Sequence, residues 1–513
     1  MCKRTLIRLL LVCLVWFARP RPALCETGLF LTDPHRPVIL EGTVYPAVNI
    51  RVDGDGTIRG RIVQVDDRVH GAISTSFDRK TVVPLIPFSV RGNRTEKLVV
   101  EGSPPGPGRY EFDLDYSGSG QSTHRIIPFT VLPAEQFDNG VRIDRDGTCY
   151  RDGKPWLPMV IYTNSAASKN GGSGSGPLDS ARDQFLDYFE GTPFVMMDYC
   201  SPRAGLDYAV DYMNRCAQRN IMMSMHAAPS VISTDFAERL AEQLWDHPAM
   251  ALWYINDELS NDWYDELKDI HYTFRRYDPF HATHVQHCDM AKGIPQAETY
   301  DIYVHQFYNG GERQIRKNFN YMIDLTETLP PTIPYWGNML LYDDKLRTMS
   351  YGCIANGAKG LMYYAFHVMR DKINNWDEFN RRWSQIVEMG REIESRQHIL
   401  LQPPSQIQST ANVDELALRT VSGDHGAWLL IVNPYWKTRD VDITVGVQTD
   451  SAVSTDGRTW PVRGGRFRMT ITPEDVWLLQ LTPPPAKTDP DFNNDGVVNF
   501  LDFSAFIDGV ESL

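Results

Sequence analysis

The pattern of hydrophobic and polar positions changes twice along the chain. From residue 26 to about 135, short runs such as TVYPAVNIRV and GRYEFDLDY alternate apolar and polar residues between Gly, Pro and Asp clusters. Evenly spaced short strands of this kind predict a β-sandwich of immunoglobulin-like size. The same alternation returns from residue 403 to about 482, in GAWLLIVNPY and DVWLLQLT, and predicts a second, smaller β-sandwich.

Between residues 141 and 402, apolar runs instead alternate with helical patterns such as WYDELKDIHYTFRRYDP. Eight β units of this kind fit a (β/α)₈ TIM barrel in number and size. A doubly wound open sheet is the alternative, but it would carry a Gly-rich phosphate turn after its first strand. The segment after Tyr162, TNSAASKNGGSGSGPLD, is too long and irregular for that turn. The predicted strands are Leu157–Tyr162, Phe194–Tyr199, Ile221–His226, Ala251–Ile255, His284–His287, Ile302–Gln306, Ile333–Gly337 and Leu361–Phe366.

The first 25 residues have the pattern of a secretory signal peptide. Basic residues precede the apolar run Leu9–Ala18, and Ala23-Leu24-Cys25 offers a cleavage site. The run is too short to span a membrane, which takes about 20 apolar residues. A buried N-terminal helix is the alternative interpretation. A lipid anchor at Cys25 is disfavoured, because Leu24 stands where lipoprotein signals similar to this one carry a small residue. We therefore expect a secreted, cell-surface or periplasmic protein without a membrane span.

The net charge limits the classes of binding partner, and the cysteine spacing limits the disulfide bonds that can be expected. The 513 residues carry a net charge of −14, and removing the five basic residues of the signal leaves −14 − 5 = −19. This balance argues against binding to nucleic acid or to an anionic membrane. The eight cysteines show neither CxxC spacing nor a dense framework. A disulfide between Cys200 and Cys216 is one alternative, and buried free thiols are the favoured interpretation.

The C-terminal tail predicts a calcium site. A Pro-rich linker, residues 483–490, precedes DFNNDGVVNFLDFSAF, in which Gly496 stands where a calcium loop turns sharply. The predicted ligands are Asp491, Asn493, Asp495, Asn499 and Asp502, with the backbone carbonyl of Val497. Residues 491–513 resemble one half of a dockerin, which implies a cohesin-like partner. Because the second repeat is missing, calcium binding is favoured over docking; a metal-free turn is the alternative.

The stretch MALWYINDELSNDW, residues 250–263, raises the question of chemistry. A buried-looking strand ends in Asn256, Asp257 and Glu258. Counting places it fourth in the barrel, and (β/α)₈ barrels act at the C-terminal ends of their strands. The alternative is a structural role, in which the two carboxylates form a salt bridge with a nearby Arg or Lys.

This strand resembles the fourth strand of the large clan of (β/α)₈ glycoside hydrolases, which ends in Asn-Glu. RDGKPWLPMVIYTN before it and LRTMSYGCIANGAKGLMYYAF after it are also similar to these barrels, so the likeness spans most of residues 141–400. The resemblance implies a glycosidase in which Glu258, with Asp257 beside it, protonates the leaving oxygen. It also implies a carbohydrate ligand. Because the sequence shows no P-loop and no dinucleotide fingerprint, we expect no organic cofactor.

One position departs from the clan. Its nucleophile is a Glu ending strand seven, where this chain reads IPYWGNMLLYDD and has Asn338. Asp198 and Asp289 are the best candidates for a second carboxylate, ahead of Glu298 and Asp301. Asp343 and Asp344 are expected to start the following helix. The departure leaves an inverting enzyme, or a non-catalytic carbohydrate-binding or cell-surface interaction protein.

Polar and aromatic residues at the other predicted strand ends would complete a sugar cleft. They are Tyr162, Asn164, Asp198, Tyr199, His226, Asn256, His287, His305, Gln306, Tyr308, Trp336, Asn338, Tyr364 and His367. His226, His287 and His305 also raise the rival of a metal-dependent hydrolase. Barrels similar to amidohydrolases carry His-x-His on strand one, where this chain reads MVIYTN, so zinc is disfavoured.

Overall fold

The structure is a computed structural model that describes most of the chain between residues 30 and 482. It divides into two compact units, Met1–Leu401 and Gln402–Leu513. The described residues are 30–32, 38–40, 47–51, 55–69, 71, 79–90, 95–99, 106–118, 121–133, 140–144, 146–163, 185–198, 205–308, 312–329, 333–373, 375–413, 416–435 and 437–482.

The first unit opens with two β-sheets. One has the strand order β1-β3-β6, and the other has the order β2-β8-β7-β4-β5. Alternating residues of the long strands, among them Ile62, Phe112, Leu114 and Phe129, form their buried core, as the period-two pattern predicts. The strands are β1 (Phe30–Thr32), β2 (Val38–Leu40), β3 (Ala47–Arg51), β4 (Gly56–Asp66), β5 (Lys80–Val90), β6 (Thr95–Val99), β7 (Gly108–Gly118) and β8 (Gln121–Leu132).

A small antiparallel sheet leads into the barrel. It has the order β11-β10-β9, and its Val141, Ile143 and Cys149 share one hydrophobic cluster with inward residues of the barrel. The backbone N–H of Val141 donates to the carbonyl of Phe280, just before the fifth barrel strand, at 3.0 Å. The sheet therefore closes the N-terminal end of the barrel. Its strands are β9 (Val141–Ile143), β10 (Cys149–Arg151) and β11 (Lys154–Trp156).

The centre of the unit is a closed barrel of eight parallel strands, adjacent in chain order. This confirms the predicted fold class, a TIM barrel accompanied by all-β sheets. Each observed strand overlaps its predicted range. The strands are β12 (Met159–Thr163), β13 (Val195–Asp198), β14 (Met222–His226), β15 (Met250–Asp257), β16 (Ala282–His287), β17 (Ile302–Gln306), β18 (Tyr335–Leu340) and β19 (Gly360–Tyr364).

Helices separate the strands and pack on their outer faces. Trp253, for example, stacks on Phe274 of the following helix with ring centroids 4.1 Å apart. The helices are α1 (Leu206–Gln218), α2 (Thr234–Leu244), α3 (Tyr264–Tyr277), α4 (Met290–Gly293), α5 (Glu312–Thr328), α6 (Leu346–Ala355), α7 (Phe366–Lys372) and α8 (Trp376–Leu400). No helix among the described residues is long and apolar enough to cross a membrane.

The second unit is a two-sheet β structure with the strand orders β20-β23-β26 and β21-β22-β27-β24-β25. Leu429, Ile431, Val441, Ile443 and Leu479 are among the residues of its buried core. Its strands are β20 (Thr410–Ala411), β21 (Ala417–Gly423), β22 (Gly426–Val432), β23 (Arg439–Thr444), β24 (Ser451–Ser454), β25 (Thr459–Pro461), β26 (Arg466–Ile471) and β27 (Val476–Thr482).

Several predictions fall outside the described residues. They are the signal peptide (1–25), the linker (483–490) and the calcium half-motif, and the site candidates Asn164 and Tyr199. Cys200 is also outside, but its proposed disulfide partner Cys216 is a buried free thiol.

Candidate active site

A β-bulge at the end of the fourth barrel strand sets the direction of its carboxyl groups. Tyr254 pairs with His284, whereas Asn256 pairs with Val285, so β15 contains an extra residue at this point. A bulge reverses the alternation of side chains beyond it. As a result Tyr254 and Asp257 lie on the same face of the strand and contact each other, with the Tyr254 hydroxyl donating to Asp257 Oδ1 at 2.9 Å. Tyr254 belongs to the inward-facing core of the barrel, so Asp257 also faces inward.

The Asp257 carboxyl is partly withdrawn from solvent. Burial raises its pKa above the ordinary value for aspartate, and the nearby negative charge of Glu258 adds to this rise. The hydrogen bond from Tyr254 acts in the opposite direction because it stabilises the carboxylate. Asp257 therefore holds its proton to higher pH than an exposed aspartate does, unless a bound group favours the anion.

Glu258 occupies the rim of the same strand. It is exposed and has a positive φ of 59°, an uncommon backbone conformation for a residue other than glycine. Its N–H donates to the carbonyl of Gln286 at 3.0 Å, which fixes the turn. The Cys288 thiol, at the end of the neighbouring strand, hydrogen-bonds to the Glu258 side chain.

The sequence predicted that Asn256 lines the opening of the barrel, but the structure places its side chain elsewhere. It is fully buried, and its amide donates to Gln296 Oε1 at 2.9 Å and lies 3.1 Å from His287 Nε2. Its Oδ1 accepts a 2.7 Å bond from the N–H of Leu259. Because of the bulge, Asn256 points into the layer between strands and helices, where it holds the turn that carries Glu258.

Phenol rings from two other strands, and from the residues just after a third, line the opening beside the carboxyl pair. Tyr364 lies 5.2 Å from Tyr162 and 5.8 Å from Tyr308, between ring centroids. Tyr308 and Tyr364 both interact electrostatically with Asp257 and Glu258. We call this opening the mouth; it is lined by Tyr162, Asp257, Glu258, Tyr308, Tyr364 and His367. Aromatic faces and hydroxyl groups around a carboxyl pair suit a sugar ring.

Polar side chains from alternate strands form the floor beneath the mouth. Asn338 donates to Gln286 Oε1 at 2.7 Å, and the His226 ring lies 5.2 Å from the Tyr254 ring. Asn338 Oδ1 and Trp336 Nε1 are buried without a hydrogen-bond partner. Deeper in the barrel, His284 bonds to Ser224 Oγ at 2.7 Å, and burial lowers its pKa to about 3, so the ring is neutral. The floor thus presents neutral hydrogen-bonding groups.

The histidines at the strand ends do not converge. His226 faces the interior beside Tyr254. His287 lies 3.1 Å from Gln296 Oε1, and His305 stacks on Tyr321 of α5, with centroids 4.7 Å apart. His287 and His305 therefore lie in the strand–helix layer, because period-two alternation turns them away from the barrel axis. The described residues contain no cluster of three metal-ligating side chains.

The candidates for a second carboxylate serve other purposes. Asp198 is buried and interacts with Cys216 of α1, on the outer face of its strand. Asp289 caps α4, accepting from the N–H of Ala291 at 2.9 Å. Glu298 binds Lys268 at 3.0 Å, and Asp301 binds Arg275 at 2.9 Å.

Asp343 and Asp344 were predicted to start the helix after strand seven, but they lie three and two residues before its first residue, Leu346. Asp343 accepts from the N–H of Lys345 at 2.8 Å, and Asp344 binds Arg382 of α8. Both precede α6, which begins at Leu346. Short turns of this kind satisfy local N–H groups before a helix begins.

Three residues of the site were not predicted as such: Tyr254, Gln286 and Cys288. Tyr254 lies inside the mostly apolar run that predicts the strand, although a buried tyrosine usually needs a partner for its hydroxyl. Gln286 and Cys288 flank His287, and the sequence pattern singled out only the histidine. Alternation along β16 was the available signal, because Gln286 is two residues beyond the inward-facing His284.

No protein-family model matches this chain, and no curated protein matches it. Among solved structures, a glycoside hydrolase family 5 protein from Bacteroides vulgatus is 13% identical, with a TM-score of 0.46, over 67% of this chain and 94% of that one. AmyP in complex with maltose is 9% identical, with a TM-score of 0.43, over 64% and 97%. A glycoside hydrolase family 2 member from Bacteroides cellulosilyticus is 11% identical, with a TM-score of 0.36, over 89% and 62%.

Proposed function

We propose that the barrel is a glycoside hydrolase that binds a poly- or oligosaccharide in its mouth. The observation that carries this proposal is the position of Asp257, which the bulge turns inward beside Glu258, in an opening lined by phenols. Carboxyl groups that face a cleft of aromatic and neutral polar side chains match the needs of glycosidic bond cleavage.

The depths of the two carboxyl groups suggest different roles. Asp257 lies deeper, on the inner face of the strand, and Glu258 is exposed at the rim. Because the floor of the mouth is closed, a sugar bound there has its leaving group on the solvent side. Glu258 is therefore the group that protonates the leaving oxygen, as the resemblance implies, and Asp257 contacts the sugar itself.

The experiment is an assay of the full chain on aryl glycosides and polysaccharides, with Glu258→Gln and Asp257→Asn. We expect Glu258→Gln to lower kcat by about 100-fold or more, the usual contribution of a catalytic proton transfer, and Asp257→Asn to lower activity because it removes a charged contact to the sugar. Glu266→Gln and Asp265→Asn, exposed acids of the next helix, are matched controls that keep full activity. Full activity in Glu258→Gln would contradict the assigned role.

A carbohydrate-binding protein without turnover is the second candidate. It is favoured by strand seven, on which the similar clan carries its nucleophile: here its inward-facing Asn338, two residues before the strand ends, donates its amide to Gln286. Saturable sugar binding by calorimetry, unaffected by Glu258→Gln and without released product, would favour this candidate over hydrolysis.

Two proposals rest on the sequence alone. We propose that the chain is secreted, and that the tail from Asp491 to Asp502 binds one structural calcium ion; docking to a cohesin-like partner is the alternative role of that motif. Terbium luminescence of the full chain, titrated with calcium, tests the metal site. Asp491→Ala together with Asp495→Ala should abolish the signal, and an unchanged signal would contradict the site.

A further inference from the structure

The two carboxyl groups of the mouth stand on one wall of it. Asp257 and Glu258 are consecutive residues at the end of the fourth strand, and consecutive Cα atoms are about 3.8 Å apart. Hydrolysis by two carboxyl groups usually places them on opposite sides of the bond, about 5–10 Å apart. Neighbours on one strand cannot hold a sugar from two sides, so this pair does not itself supply an acid and a nucleophile on opposite faces of the sugar.

In the part of the chain that the structure describes, phenols and a histidine line the mouth beside the carboxyl pair, and amides lie in the floor beneath it. Tyr162, Tyr308 and Tyr364 form one contiguous ring cluster. Asn338 commits its N–H to Gln286 and keeps a buried Oδ1 without a partner. An amide oxygen is too weak a base to replace a carboxylate at the anomeric carbon. These groups can instead orient a polar substituent of the sugar.

We propose that the substrate is a glycoside of an N-acetylhexosamine, and that its own acetamido oxygen is the nucleophile. This inference rests on the glycosidase function proposed above. An acetamido group trans to the leaving group can reach the anomeric carbon without help from a second protein carboxylate. It also needs an acceptor for its N–H and a pocket for its methyl group, which Asp257 and the tyrosine faces provide.

The reaction balances in two steps. Glu258 gives its proton to the leaving oxygen while the bond from that oxygen to the anomeric carbon breaks. The acetamido carbonyl oxygen bonds to the same carbon and forms a cyclic oxazolinium, whose N–H donates to the Asp257 carboxylate. Glu258 then takes a proton from water, and the water oxygen attacks the anomeric carbon and reopens the ring. One water is consumed, the acetamido group is restored, and the configuration is retained.

Tyr254 supports the role of Asp257. Its hydroxyl donates to Oδ1 at 2.9 Å, which leaves Oδ2 to meet the acetamido N–H. The bond also favours the carboxylate form that this role needs. Asp257 therefore acts as a catalytic residue in contact with the substrate, and Tyr254 as its positioning residue.

The test is a matched series of aryl glycosides assayed with the full chain. The series pairs para-nitrophenyl N-acetyl-β-glucosaminide and N-acetyl-β-galactosaminide with the glycosides that carry a hydroxyl in place of the acetamido group. Mono-, di- and trifluoroacetamido analogues complete it. We expect hydrolysis of the acetamido sugars alone, with kcat/KM falling about tenfold or more across the fluorinated analogues, because fluorine reduces the basicity of the attacking oxygen.

Three outcomes separate this inference from the proposed function. A fluorine-dependent rate, with kcat lost in Asp257→Asn and kept in Asp265→Asn, supports the inference. Comparable hydrolysis of the hydroxyl sugars, or a rate indifferent to fluorine, overturns it and leaves the glycosidase function intact. No hydrolysis of either series, or of the polysaccharides assayed above, by folded protein overturns both.

Discussion

Tyr254 and Asp257 are three residues apart on one strand, yet the hydroxyl of the first donates to Oδ1 of the second at 2.9 Å. Burial raises the pKa of Asp257, and this bond counteracts part of the rise. Tyr254→Phe should therefore raise the Asp257 pKa further. Under the proposed role Asp257 acts as the carboxylate, so the acidic limb of the kcat/KM profile should move to higher pH.

Tyr264→Phe is the matched control, because its hydroxyl bonds to Glu298 at 3.0 Å and not to the mouth. The measurement is the pH dependence of kcat/KM on the best substrate. An acidic limb that stays in place in Tyr254→Phe would show that Asp257 does not set it.

Asp257 should also cost the fold stability at neutral pH. Its pKa is raised in the folded protein, so above the unfolded pKa of about 3.9 the folded state binds more protons than the unfolded state, and stability falls as pH rises. Asp257→Asn keeps an acceptor for Tyr254 and removes the charge. Urea unfolding should show this variant to be more stable than the wild type at pH ~7.

The gain should shrink as the pH falls below the unfolded pKa, where both states are protonated. Asp265→Asn, at an exposed helical position, should show no such pH-dependent gain. Equal stability of Asp257→Asn and wild type at every pH would mean that the Asp257 carboxyl is not destabilised by burial.

We expect Asn256 to contribute to stability by holding the turn that carries Glu258, and not to contribute to sugar affinity. Asn256→Ala removes the 2.7 Å acceptor of the Leu259 N–H and the donor to Gln296, inside a fully buried layer. Loss of buried hydrogen bonds costs about 1–3 kcal/mol of stability. Chemical unfolding measures this cost, and sugar affinity measured below the transition should change little. A large affinity loss without destabilisation would return Asn256 to the mouth.

Arg109 predicts a stabilising substitution far from the mouth. It is only 5% exposed, and none of its three guanidinium nitrogens has a hydrogen-bond partner; the nearby Asp66 is bound by Arg68 at 3.1 Å. Burial lowers the pKa of Arg109. Arg109→Met keeps much of the side-chain length and removes the unpaired charge, so the free energy of unfolding should rise by about 1–3 kcal/mol.

Arg61→Met is the control for Arg109→Met. Arg61 is exposed and pairs with Asp113 at 2.8 Å, and exposed pairs contribute about 0–1 kcal/mol. Urea unfolding of both variants gives the comparison. Destabilisation by Arg109→Met would imply that the guanidinium contributes more to packing than its unmet hydrogen bonds cost.

The barrel, and the strand end that carries the candidate site, could be predicted because apolar runs and helical periods extend over many residues. The sequence identified the fourth strand and the two acidic residues at its end. It did not reveal the directions in which the side chains of this strand point. One inserted residue between Tyr254 and Asn256 shifts the alternation, and no composition or spacing reveals a bulge. His287 and His305 illustrate the same limit, because counting places a residue at a strand end and only the register decides which face it occupies.

The thiol beside Glu258 gives the mouth a chemical reporter. Cys288 is exposed, whereas Cys149, Cys216 and Cys353 are buried, so among the described cysteines an alkylating reagent should reach Cys288 first. Burial and then the Glu258 carboxylate raise the pKa of this thiol, so labelling should be slow at neutral pH and faster in alkali. A ligand seated in the mouth should protect it, which turns occupancy into a mass difference on one peptide.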